Sequence, residues 1–193
     1  MNDLLRSLEQ ERAKFAFDTA NAIVTLRNAK NLDRINNLLK QVLEKENLIS
    51  EEVFEQLKEG NNLPFDSKYQ KELEDKLSTH IKKSAPLILT NGLGNTMAFY
   101  VSKKVNAIPE DVIKLKSWLS ADKMAYAIAY DILNRWLKEN GFLRDKNTVL
   151  DWFNDEGTSS LDVLWATQET LALLNWMKRF AQAMLEEEKE EEE

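Results

Sequence analysis

Cysteine is missing from this 193-residue chain, which excludes a disulfide framework and thiol chemistry and fits a cytoplasmic protein. Histidine occurs once, at His80, and with no His or Cys pair an ordinary zinc site cannot be built. No run approaches the ~18 apolar residues that span a bilayer. The charged, patterned start MNDLLRSLEQERAK is not that of a signal peptide. Neither Gly-x-x-x-x-Gly-Lys-Ser/Thr nor His-Glu-x-x-His occurs, and Gly92-Leu93-Gly94 lacks both the third glycine and the preceding strand of a dinucleotide fingerprint. A Ser–His–Asp triad needs His80, which falls in an apolar stripe and reads as a packed residue. Asp151, Asp155 and Glu156 are spaced to share a helix face, but such spacing is common by chance. These absences argue against an enzyme, and no cofactor or metal is expected.

One absence is local. From Lys76 to Pro109 there is no Asp or Glu, although 33 acids in 193 residues would place about six in a window of that length. The window carries Lys76, Lys82, Lys83, Lys103 and Lys104, and at its centre Asn91-Gly92-Leu93-Gly94-Asn95 uses two of the five glycines. Charge is segregated: the window contributes +5 and the tail Glu186–Glu193 contributes −6 to a net −7. Overall acidity therefore says little against an anionic partner. Two readings of the glycine segment stand side by side. Backbone N–H groups ahead of a helix suit an anion, or the glycines let the chain pass close to another helix.

Helical periodicity dominates, and the fold class is all-α: a compact bundle of about eight helices, as one large domain over 1–185 or two small lobes, with an acidic, fraying tail over 186–193. Leu4, Leu8, Phe15, Ala22 and Leu26 mark a long first helix. Ile35, Leu38, Leu39, Val42 and Leu43 mark a second, and Ser50 to Glu59 a short third, ended by Gly60. Tyr69, Leu73, Leu77, Ile81 and Ala85 recur every four residues, in a helix that Pro86 must kink or end. Met97, Ala98 and Val101 predict a helix to about Lys104, and Pro109 suits the first turn of another. Ser120 caps a helix reaching Asn140-Gly141, and Asn147 to Asp155 holds a short one. Ser159 and Asp162 have capping-box spacing, opening a last helix that runs to about Leu185.

On that last helix Leu173, Trp176, Met177, Phe180 and Met184 share one side and read as core. The opposite arc, Gln168, Asn175, Lys178, Arg179 and Gln182, has no acid, and it is either a solvated face or a second anion-facing surface. Two charges sit on apolar faces: Arg12 beside Leu8 and Phe15, and Glu169 beside Leu173 and Trp176. Buried charges are rarely left unpaired, so each is expected to find an internal partner, the other being one choice.

Three segments now combine. KKSAPLILTNGLGNTMAFYVSKK (Lys82–Lys104), LWATQETLALLNWMKRFAQAML (Leu164–Leu185) and LEQERAKFAF (Leu8–Phe17) together resemble the small all-helical subunit of the Cmr complex, the type III-B CRISPR RNA-guided effector. The resemblance covers roughly 55 residues and leaves about 30–65 and 105–156 without signature. It implies a non-catalytic subunit in antiviral defence that stacks along a filament of backbone subunits. Its partners would be guide RNA, target RNA and the other effector subunits, with head-to-tail self-association and no membrane.

By position, Lys82 and Lys83, and Lys178 and Arg179, match basic positions of the family segments. Lys14 is a weaker candidate, because Glu11 interrupts its otherwise basic motif. Asn91 either contacts a phosphate or caps a helix. RNA contact of this kind is directed at the backbone, because guide pairing supplies specificity. Most aromatic residues lie at core spacings, so base stacking is not expected. The alternative is a purely structural spacer that touches RNA little.

Overall fold

The computed structural model describes residues 2–28, 67–103 and 120–185. Six helices and no strand occur among the described residues: α1 (Asn2–Asn28), α2 (Ser67–Asn91), α3 (Leu93–Lys103), α4 (Ala121–Glu139), α5 (Val149–Phe153) and α6 (Ser160–Phe180), the last continued by a π-helical turn, Ala181–Leu185. The all-α expectation agrees with this; the count of about eight is not confirmed among the described residues. The helices expected from Ile35 to Glu59 and at Pro109, together with Lys104 and the Glu186–Glu193 tail, lie outside the described residues. So do the side chains of Leu4, Ala22 and Leu26 from the expected α1 stripe.

The ends of the helices follow local chemistry. Ser120 caps α4, its side chain accepting from the Lys123 N–H. Gly141 closes α4 with φ +77°, and the Gly141 and Phe142 N–H groups return to the Lys138 and Leu137 carbonyls in a Schellman arrangement. Thr148 caps α5 through the Asp151 N–H at 3.1 Å. At α6 the capping box is complete: Ser159 Oγ accepts from the Asp162 N–H at 3.2 Å, and Asp162 Oδ2 accepts from the Ser159 N–H at 2.9 Å.

Pro86 does not end α2. The helix runs on to Asn91, although Pro86 has no N–H to give to the carbonyl one turn back. Packing on both sides explains why it continues, since Leu77 and Ile81 before the proline and Ile88 after it are buried in the same core. Gly92, at φ +82°, is the single non-helical residue between α2 and α3. Its N–H reaches the Ile88 carbonyl at 2.8 Å, and its own carbonyl takes the Thr96 N–H at 3.2 Å. A left-handed residue of this kind reverses the chain at little cost only when it is glycine.

Helix α2 is the hub. It packs on α4, on α6 and on the π turn, while α1 lies across α6 and α3 across α4 and α5. Leu77, Ile88, Leu93, Met97, Met124, Leu133, Leu137 and Trp152 fill the centre, each aliphatic side chain stabilising by about 1.5–3 kcal/mol. Arg12 of α1 meets Glu169 of α6 in a fork, Nε to Oε1 at 2.8 Å and Nη2 to Oε2 at 2.6 Å. Trp136 of α4 donates its indole N–H to the same carboxylate at 3.1 Å. The two misfit charges are thus each other's partner. The hydrogen bond to Glu169 is the largest reason why the guanidinium is held above its ordinary pKa.

Candidate nucleic-acid interface

Lys82 and Lys83 sit on α2, one half-exposed and the other exposed, one turn ahead of Pro86. Beside them His80 is buried. Its ring stacks on Tyr126 of α4 with centroids 3.8 Å apart, and its Nε2 lies 3.1 Å from Asp122 Oδ1. An ionised carboxylate only accepts, so Nε2 carries the proton. Lost hydration holds His80 below its ordinary pKa; Asp122 opposes this, and the charges of Lys83 and Lys76 add to it. Ser84 Oγ donates to the His80 carbonyl at 2.7 Å, which leaves the Tyr100 hydroxyl to donate to Ser84 Oγ at 2.6 Å. The Ser84 hydroxyl is therefore turned to backbone and tyrosine. The packed role expected of His80 holds.

The glycine segment divides. A side chain at Gly94 would meet the Phe153 ring at 3.1–3.3 Å, so Gly94 lets α3 press against α5. Gly92 faces open space and is needed for its backbone angle. Asn91 is the exposed last residue of α2. Its carbonyl accepts from Asn95 Nδ2 at 2.8 Å. Farther along α3, Lys103 Nζ lies 5.6 Å from the centroid of the Phe99 ring.

Lys178 and Arg179 are exposed in the last turn of α6, where cations also suit the helix dipole. The whole polar arc expected there, Gln168, Asn175, Lys178, Arg179 and Gln182, is exposed, and Leu173 and Met177 opposite are buried. Arg179 lies over the Trp176 ring at 5.2 Å, and Trp176 donates its N–H to Glu9 Oε2 at 2.8 Å. That bond is the main cause holding the Glu9 carboxyl below its ordinary pKa. Lys14 is exposed and pairs with Asp18 at 3.5 Å one turn on, a contact that solvent screens. Helices α2 and α6, which carry the two cationic pairs, pack together. Among the described residues no group of three or more His, Cys, Asp or Glu is placed to hold a metal ion.

A family model described as CRISPR-associated protein (Cas_Cmr5) matches residues 45–184. The chain belongs to the Cas_Cmr5 family. It is therefore a small subunit of the type III-B Cmr complex, a component of CRISPR defence. The matched span contains Lys82, Lys83, Asn91, Lys178 and Arg179. Lys14 and the whole of α1 lie outside it.

Two surface features escaped the reading of the sequence. The first is the aromatic series Phe99–Tyr126–His80, whose members come from three helices and show no joint signal in sequence. The second is an exposed apolar stripe at the start of α6: Leu161, Leu164 and Trp165. Its spacing of three and four was legible, since residues so placed lie on one helix face. No helix among the described residues is long and apolar enough to cross a membrane.

Proposed function

We propose that this Cmr subunit is non-catalytic and stacks along the effector filament, where its lysines line the path of the guide–target RNA and neutralise phosphates. In this reading residues 1–185 act as one all-α unit, with the acidic tail outside it. The observation that carries the proposal is the acid-free window. Lys83 and Lys103 are both exposed on adjoining helices, in a chain whose net charge is −7. Lys178 and Arg179 add a second exposed pair on α6. Contacts to phosphate release counterions, so binding weakens as salt rises. Replacing Lys82, Lys83, Lys178 and Arg179 together by Ala should weaken target capture by the assembled complex. The log–log salt slope should become shallower by ~0.7–0.9 per lost contact. Unchanged affinity and slope would remove these residues from the RNA path.

The exposed stripe of Leu161, Leu164 and Trp165 favours a second role beside the first, contact with a neighbouring subunit. If the chain is only a spacer, crosslinks from bound RNA will fall on other subunits alone, and Trp165→Ala will loosen assembly without changing the salt slope.

A further inference from the structure

The acid-free window does not present bare lysines. Phe99 on α3 is 38% exposed, while its neighbour Tyr100 is 1% exposed. The Phe99 ring meets Tyr126 edge-on at 5.8 Å, Tyr126 stacks on His80 at 3.8 Å, and His80 lies in the field of Lys83 and Lys76. Lys103 Nζ lies over the Phe99 ring, 5.6 Å from its centroid. An aromatic series thus runs from the core to the surface and ends in one exposed ring, with cations at both ends. Asp122 lies beside this series, its Oδ1 engaged by His80 Nε2.

We propose that Phe99 is a stacking platform for an unpaired base of single-stranded RNA, with Lys103 on the phosphate beside that base and Lys83 on a phosphate farther along the strand. The proposal rests on the RNA-path reading above and adds to it a contact with a base. Every base offers a π face, so such a platform holds RNA without reading its sequence. Lys103 now occupies the ring by cation–π attraction. The base displaces it, and the ammonium moves to the phosphate that the base brings. Tyr126 and the buried Tyr100 back the ring, so little order is lost on binding. The far more exposed Trp165, at 60%, shares one helix face with Leu161 and Leu164, the stripe read above as a contact for a neighbouring subunit.

The test uses the full chain, a short labelled oligo(U) strand, and a duplex RNA as control. Phe99→Leu keeps the apolar bulk and removes the flat ring. It should weaken oligo(U) binding about 5- to 150-fold, the range measured for loss of one base–aromatic stack, with the salt slope unchanged. Phe99→Tyr should restore binding, which separates stacking from a folding defect. Lys103→Ala should make the slope shallower, and Trp165→Ala should change nothing. Duplex binding should not respond to Phe99, because its bases are already stacked. Three results overturn the platform: wild-type affinity in Phe99→Leu, an equal loss on duplex, or no oligo(U) binding by the wild-type chain. If Phe99→Leu is silent while the four-residue Ala variant flattens the salt slope, only stacking fails. If neither variant changes binding, the RNA-path reading fails with it.

Discussion

Removing Arg12 should cost this protein far more than removal of a surface charge. Its guanidinium forms both bonds of a fork with Glu169, which is 7% exposed and sits in the middle of α6. In Arg12→Ala the carboxylate stays where α6 holds it and keeps only the Trp136 N–H at 3.1 Å. A buried charge stripped of its partner destabilises by about 3–5 kcal/mol. At ~2–4 °C per kcal/mol for a chain of this size, the melting temperature should fall by about 6–20 °C. Circular dichroism at several wavelengths measures the shift and checks that the transition remains cooperative. Two further variants separate lost charge pairing from lost bulk. Adding Glu169→Gln to Arg12→Ala should recover part of the loss, because the amide carries no charge and still offers Trp136 an oxygen. Replacing both residues by Met should come close to wild type or exceed it, as apolar replacements of buried pairs often do. An Arg12→Ala variant within about 0.5 kcal/mol of wild type would refute the reasoning, since exposed pairs behave that way.

Three other outcomes are expected. His80 is held below its ordinary pKa of 6.5, chiefly by lost hydration. Above that value its contribution to stability is complete; as pH falls the unfolded chain takes the proton more readily, and stability is lost. Urea unfolding of His80→Phe, which keeps an aromatic ring for Tyr126, should show a shallower loss of stability below pH 6.5. Gly94→Ala forces a Cβ onto Phe153, which cannot easily retreat because buried Trp152 holds it edge-on at 5.1 Å. Overpacking of about 1–3 kcal/mol, set against a helix-propensity gain of ~1, leaves a net loss of up to about 2 kcal/mol. Phe153→Leu should relieve it, and a double-mutant cycle by denaturant unfolding measures the coupling. Ser159→Ala removes half of the capping box and should cost about 0.5–2 kcal/mol in the same assay.

The helices were readable where each signal is local. The caps at Ser120 and Ser159 and the stop at Asn140-Gly141 each depend on residues within one turn of each other. The buried side of α6 and its exposed polar arc follow from periodicity alone. Of the two outcomes Pro86 allowed, an end to the helix did not occur, because its local penalty was outweighed by burial of Leu77, Ile81 and Ile88 on both sides of it. A penalty that is read locally does not include the packing that offsets it.

For the interface, sequence by itself determined which charges are available: an acid-free window with its lysines, a cationic end to the last helix, and a chain without the cysteines and histidine pairs of common chemistry. It also marked Arg12 and Glu169 as charges that needed a partner, because an ionised group on an apolar face cannot be left alone. Only tertiary structure decided that the two meet across 157 positions of sequence. Only packing decided that Gly94 serves Phe153 while Gly92 serves the turn. It also drew Phe99, Tyr126 and His80 from three helices into one series. The physical reason is the same in each case. Charge, propensity and periodicity belong to a residue and its neighbours within a turn or two. A contact belongs to the faces of two helices, and it exists only once the core has set how those helices cross.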